Sequence, residues 1–223
     1  MAALPTRELK IGKIIDKTLA VLELNAGPAL IFVLVLTAIN APITYASVGS
    51  LDPLRLAGGE LLKTVVGFVC GFFLLVAMVR RTGLQSRTDQ DVFLPYLGMS
   101  LLSMLAVMLG MIAIVLPGLF LMARWSIAQP LLVAQGGGAM ASLGESWDRT
   151  RGNEFPIFAA AFVVLLLPIA VIIAAGSFFG EGSLAGLVVT QLATSAISMV
   201  LLAMGTALYG LIVGGREAVS PAV

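Results

Sequence analysis

Apolar residues in this chain form long runs that are separated by short polar segments, a pattern typical of helices that cross a membrane. A membrane helix needs about 20 mainly apolar residues to cross a hydrocarbon core of about 30 Å. The sequence therefore predicts an all-α fold, a polytopic membrane helical bundle in which residues 1–223 form a single integral membrane domain. Six transmembrane helices are predicted, at about residues 28–48, 61–79, 96–116, 119–135, 155–176 and 184–213.

Two shorter segments are predicted to be amphipathic helices. Over residues 7–24, apolar side chains recur every three or four positions and charged side chains fill the other face. Such a helix either lies in the lipid headgroup plane, with its lysines toward anionic lipid, or packs on the protein's own cytoplasmic face. A short second amphipathic helix is predicted at residues 139–151, before span five, with one face formed by Met140, Leu143 and Trp147.

The fourth predicted span decides the topology, because its interior contains Arg124, Gln129 and Pro130 and it is the weakest of the six. Cytoplasmic flanks of membrane helices collect Lys and Arg, so the charge distribution can arbitrate. If residues 119–135 cross the membrane and both termini are cytoplasmic, Pro117-Gly118 forms a tight turn at the outer face. Ten of the 13 basic residues then face the cytoplasm: Arg7, Lys10, Lys13, Lys17, Arg80, Arg81, Arg87, Arg149, Arg151 and Arg216. We expect a multi-pass protein of the bacterial inner membrane.

Composition supports membrane residence and excludes several function classes. Hydrophobic residues make up 59% of the chain and charged residues 11%, against about 45–50% and about 25% in soluble domains. A net charge of +1 excludes a broad nucleic-acid-binding surface. With no histidine and one cysteine, Cys70, the chain has no Ser-His-Asp or Cys-His catalysis and no internal disulfide. We expect no enzyme activity, no metal and no cofactor. The expected partners are membrane lipids and another membrane protein or complex, not nucleic acid.

Arg124 is the strongest candidate for a functional residue, because it is a charged residue inside a predicted membrane span. A charge inside the bilayer costs at least about 2.5–3.5 kcal/mol, so it should face the bundle interior and have a partner. Counted from the predicted outer turn at about 1.5 Å per residue, Arg124 lies about 9 Å deep. That depth makes Glu60 the nearest acidic candidate partner and Asp52 the next. Arg124 could bind an anionic ligand or lipid headgroup. It could instead tie spans two and four together, or extend toward the headgroups. A polar path could also be lined by Asn40, Gln129, Gln191 and Ser195.

The central stretch LPGLFLMARWSIAQPLLVAQGGGAMASLGESWDRTRGNEF resembles the glycerophosphoryl diester phosphodiesterase membrane-domain family and related six-helix bacterial inner-membrane proteins. That family shares a P-G pair, an R before a P, and A-L-x-x-S-W-x-L-x-x-G. The start, IGKIIDKTLAVLELN, is also similar. One departure is Gln135, where the family often has an acidic residue. The matching positions are Pro117, Gly118, Arg124, Pro130, Leu143, Ser146, Trp147 and Gly152.

The resemblance implies a helical membrane module with a regulatory or lipid-associated role. It does not imply phosphodiesterase activity, because that enzyme is a separate soluble barrel that these 223 residues do not contain. The first hypothesis is therefore a non-enzymatic integral inner-membrane protein that serves as a scaffold, accessory subunit or membrane-homeostasis factor. The alternative is a small transporter or channel for an anionic or amphipathic solute, with Arg124 selecting anions.

Overall fold

A computed structural model describes residues 9–85, 91–113, 115–180 and 183–214, and within these ranges the chain consists of helices and turns. The predicted cytoplasmic residues Arg7, Arg87 and Arg216 lie outside them. The all-α prediction is confirmed. The helices are α1 (Ile11–Leu24), α2 (Ala26–Ser47), α3 (Pro53–Arg81), α4 (Phe93–Ala113), α5 (Val115–Arg124), α6 (Ala128–Gln135), α7 (Ala139–Arg149), α8 (Glu154–Phe179) and α9 (Leu184–Tyr209), which continues into a π-helical turn at Gly210–Gly214.

Five of these helices, α2, α3, α4, α8 and α9, are long and apolar enough to cross a membrane. Their outer faces carry large apolar side chains, such as Leu167, which is 74% exposed. In water such a continuous apolar surface would drive aggregation, whereas lipid tails solvate it. The described part of the chain is therefore built as a membrane protein.

The core of the bundle forms around α9, which packs against α1, α2, α3, α6 and α8. Small residues on α9, among them Ala203 and Ala207, are buried and let these neighbours approach closely. α1 lies against α8 and α9. Its buried face carries Ile14, Thr18 and Val21, spaced four and three residues apart. These three side chains are covered by protein, whereas Leu19 on the same helix is 51% exposed.

The prediction of a tight turn at Pro117-Gly118 is wrong. Both residues lie in the first turn of α5, where a proline is tolerated because the N–H that it lacks would have no partner in the helix. Gly118 instead serves close packing against α4. A Cβ added to Gly118 would lie 2.6 Å from the Met111 sulfur and 2.9 Å from the Met111 backbone nitrogen. Similarly, a Cβ on Gly110 would lie 3.1 Å from the Gly118 backbone.

The prediction of one continuous helix over residues 119–135 is also wrong, because turns at residues 125–127 separate α5 from α6. Pro130 lacks the N–H that would bond to the carbonyl of Ser126 in a continuous helix. The two short helices still run back along α4. Gly118 lies beside Gly110, and Gln129 Nε2 lies 3.4 Å from Ser100 Oγ near the start of α4.

Candidate functional site: the broken helix and its cavity

Arg124 is the last residue of α5, and its side chain is enclosed between α5, α7 and α8. The residue is only 6% exposed. Its Nη1 donates a hydrogen bond to the carbonyl of Trp147 (2.8 Å) and lies 3.2 Å from Glu154 Oε1. Its Cζ lies 4.6 Å from the ring centroid of Trp147 and 5.2 Å from that of Phe120. The guanidinium thus has a carboxylate, a carbonyl and two aromatic faces around it.

The carboxylate that pairs with Arg124 is Glu154, and the prediction of Glu60 is wrong. Glu60 forms an ion pair with Lys63 one turn further along α3 (2.6 Å), and its side chain is 73% exposed. The prediction of Glu60 relied on the depth of Arg124 in the membrane. That depth was counted from a turn at Pro117-Gly118 at the outer face, and this turn does not exist. The structure instead places Arg124 beside α7 and the first residue of α8.

The break after Arg124 frees a backbone carbonyl, and α7 supplies its hydrogen bonds. Ser146 Oγ donates to the Arg124 carbonyl oxygen at 2.7 Å, and both Ser146 and Thr150 are fully buried. Thr150 Oγ1 shares its one hydrogen between the Ser146 carbonyl (2.8 Å) and the Arg124 carbonyl (3.0 Å). These hydroxyls stand in for the N–H that a continuous helix would provide. α7 therefore stabilises the end of α5 from the side.

The residues that carry the resemblance described above, and that lie near Arg124, each have a structural role. Trp147 provides the carbonyl and ring described above, and Ser146 one of the hydroxyls. Gly152 has φ +81°, a conformation that favours glycine, and its N–H lies 3.2 Å from Glu154 Oε1. Pro130, in contrast, lies in the first turn of α6 on the other side of the break. The structure thus brings Arg124, Ser146, Trp147 and Gly152 together, with Pro117 and Gly118 further back along α5.

The break also borders a cavity of about 730 Å³ that is lined by residues of α2, α3, α4, α5, α6, α8 and α9. Trp125 and Ser126 of the break line it directly. Its walls are mainly apolar, and α8 contributes a row of side chains at helical spacing. That row consists of Phe158, Phe162, Leu165 and Ile169.

The polar groups of this cavity fall into two classes. In the first class, three hydroxyls bond to carbonyls of their own helices: Thr64 to Glu60, Ser103 to Ser100 and Ser198 to Thr194. The side chains of Tyr96 and Ser100, which also line the cavity, hydrogen-bond to each other. Ser126 Oγ differs, since it is buried and has no hydrogen-bond partner among the described residues. Gln129 makes only the long contact with Ser100. Ser126 and Gln129 therefore form a polar end with unused hydrogen-bonding capacity.

Of the residues expected to line a polar path, Gln129 alone lines this cavity. Gln191 donates to Thr44 Oγ1 (2.9 Å), and Asn40 Oδ1 is buried on α2 without a partner among the described residues. The sequence did not single out Glu154 or Ser126. An acidic residue in the first turn of span five, directly after the central motif, was the available signal for Glu154. Ser126 had none, because its importance comes from the break.

The geometry favours a structural role for Arg124, since its charge is compensated by Glu154 within the protein. The contacts of Arg124 join α5 to α7 and α8. They do not join the second and fourth predicted spans. The cavity is the part of the site that can accept another molecule. No family model, curated protein or solved structure matches this chain.

Proposed function

We propose that this protein is a non-enzymatic integral inner-membrane protein that binds an amphipathic, lipid-like molecule and acts as an accessory subunit or membrane-homeostasis factor. The observation that carries the proposal is the mainly apolar cavity of about 730 Å³ that residues of seven helices line. Its volume falls within the range of about 300–1,000 Å³ that is usual for small-molecule sites. The row of apolar side chains on α8 suits a hydrocarbon chain, and Ser126 and Gln129 suit a polar end group.

The helix break supports a binding role. Non-helical backbone within a membrane is tolerated where it is buried in protein or lines a cavity, because lipid cannot satisfy its hydrogen bonds. Here the break lines the cavity, and the hydroxyls of Ser146 and Thr150 hydrogen-bond to the Arg124 carbonyl at its start. The break loses backbone hydrogen bonds, and a role in shaping a binding site would account for this loss of stability.

A second candidate function is transport of an amphipathic solute, and the break between α5 and α6 favours it. Discontinuous helices often form the substrate sites of membrane transporters. Selection of anions by Arg124 does not fit the geometry, because Glu154 already neutralises it. Flux of a labelled amphiphile through proteoliposomes, abolished by filling the cavity, would favour transport over accessory binding.

The proposal includes six membrane crossings, with α5 and α6 together forming the fourth and both termini in the cytoplasm of a bacterial cell. The return path along α4 supports it, as does the hydrogen bond from Gln135 Nε2 to the Tyr209 hydroxyl (3.1 Å). This bond joins the end of α6 to the end of α9. The resemblance to six-helix inner-membrane proteins points the same way.

Reporter fusions test this topology. Fusions after Gly83 and Gly138 are expected to be active only with a cytoplasmic fluorescent reporter, and fusions at Asp52 only with a phosphatase that works outside the inner membrane. The reason is that an odd number of crossings separates Asp52 from each of the other two. Phosphatase activity at Gly138 would mean that α5 and α6 do not cross, and five spans would replace six.

Filling the cavity is expected to abolish ligand binding without loss of stability. Gly67 lines the cavity, and a Cβ added there meets nothing within 4 Å. Gly67→Leu should therefore place its side chain in the empty space and reduce the lipid that remains bound after gentle detergent purification, as measured by native mass spectrometry. The matched control is Gly176→Leu on α8, which is exposed, equally unhindered and outside the cavity. Equal lipid retention in both variants would contradict the proposed function.

A further inference from the structure

We infer that the ligand of this cavity is an uncharged long-chain lipid with a free hydroxyl group, of the diacylglycerol or long-chain alcohol type, whose hydroxyl docks at Ser126 and Gln129. The inference rests on the proposed function and names the chemical class that the same site would take. It follows from three properties of the lining: its lack of charge, its unused hydrogen bonds and its long apolar wall.

None of the described residues that line the cavity is charged. Moving an isolated anionic group from water into an apolar site costs far more than moving a hydroxyl, unless a counter-charge is present. The guanidinium of Arg124 is near in sequence to Ser126, but it is turned toward α7 and α8 and held by Trp147 and Glu154. A phosphate headgroup would therefore enter this cavity without a cation to pair with. The lining selects against ionised lipids.

Ser126 is the group that most needs a ligand. A buried hydroxyl without a hydrogen bond costs about 1–3 kcal/mol, and Ser126 Oγ is in this state among the described residues. Three residues further along, Gln129 donates one long hydrogen bond of 3.4 Å, which leaves an amide hydrogen and the amide oxygen for another partner. The other hydroxyls of the wall are already bonded. Those of Thr64, Ser103 and Ser198 donate to carbonyls of their own helices, and those of Tyr96 and Ser100 bond to each other.

A hydroxyl group matches this polar end, because it donates one hydrogen bond and accepts others. Ser126 Oγ is closed off from the cavity in its present rotamer, so its side chain must turn toward the ligand. The ligand hydroxyl can then accept from Ser126 Oγ while it donates to the Gln129 amide oxygen, or the reverse. The attached chain would then follow the apolar row on α8. From Phe158 to Ile169 this row rises about 16 Å at 1.5 Å per residue, which is enough for much of an acyl or alkyl chain.

The test compares two lipids that differ only at the headgroup: dioleoylglycerol, with a free hydroxyl, and dioleoylphosphatidic acid, in which a phosphate replaces it. The full chain is purified in detergent, and the Kd of each lipid is measured by titration with native mass spectrometry. We expect dioleoylglycerol to bind at least about tenfold more tightly, a ratio equivalent to one unpaired polar interaction. Ser126→Ala and Gln129→Leu should each raise its Kd about 5- to 10-fold, the loss of one hydrogen bond.

The control for these variants is Ser103→Ala, which removes a hydroxyl from the same cavity wall that already bonds to the Ser100 carbonyl (3.1 Å). Its Kd should change less than that of Ser126→Ala, and equal effects would overturn the inference. Tighter binding of dioleoylphosphatidic acid, still blocked by Gly67→Leu, would also overturn it while leaving the proposed function intact. If neither lipid bound saturably, and no other co-purified molecule responded to Gly67→Leu, the proposed function itself would be wrong.

Discussion

Replacing Arg124 by alanine is expected to lower the free energy of unfolding by about 3 kcal/mol, the cost of removing one partner from a largely buried ion pair. The substitution leaves the Glu154 carboxylate and the Trp147 carbonyl without their donor. It also removes the cation between the rings of Phe120 and Trp147. Thermal unfolding in detergent can be measured through the reaction of Cys70, the chain's single cysteine, with a fluorogenic thiol reagent.

Two comparisons separate this ion pair from a general loss of charge. Glu60→Gln is expected to change the melting temperature little, since an exposed ion pair contributes only about 0–1 kcal/mol. The double variant Arg124→Leu with Glu154→Leu should be more stable than Arg124→Ala, because neither charge is left buried alone. If Glu60→Gln lowered the melting temperature as much as Arg124→Ala, the partner of Arg124 would be Glu60, as the sequence predicts, and not Glu154.

Gly205→Ala is expected to reduce both stability and ligand binding, since Gly205 is the point at which α9 touches the helix break. A Cβ at this position would lie 2.8 Å from the Ser126 carbonyl oxygen, too close for any side chain. The added methyl must push Ser126 away from α9 and so distort the polar end of the cavity. Overpacking of this kind costs about 1–3 kcal/mol. Melting temperature and dioleoylglycerol affinity can be measured on the same preparation.

Gly176→Ala provides the matched control, because a Cβ there meets nothing within 4 Å. Alanine favours a helix over glycine by about 1 kcal/mol, so this variant should be as stable as the original or slightly more stable. Gly205→Ala has the same intrinsic advantage, and any loss of stability must come from the contact with Ser126. An unchanged melting temperature and unchanged affinity in Gly205→Ala would show that the break can move without consequence.

The sequence predicts the long helices well, because a run of about 20 apolar residues has few alternatives to a membrane helix. The predicted span at 28–48 corresponds to α2 at Ala26–Ser47, and the span at 155–176 to α8 at Glu154–Phe179. In α1 the buried residues Ile14, Thr18 and Val21 recur at the three- and four-residue spacing of one helix face. These features depend on local pattern alone.

The helix break and the partner of Arg124 could not be predicted in the same way. Pro130 is a local cause of the break at residues 125–127, but the freed Arg124 carbonyl bonds to hydroxyls 22 and 26 residues further along, on Ser146 and Thr150. Glu154 contacts Arg124 because α7 folds back, so that the first residue of α8 lies beside the last residue of α5. The cavity likewise has walls from seven helices, and a single sequence contains no signal for their arrangement.

The central position of α9 has a consequence for how the protein is made. α9 packs against α1, α2, α3, α6 and α8, and all of these precede it in the chain. During synthesis each earlier helix enters the membrane before the helix that will cover its inner face. Until α9 arrives, Ser126 and its neighbours at the break lack the wall that Gly205 provides. The nascent bundle must therefore be held by lipid, by a chaperone or by the insertion machinery until α9 completes the core.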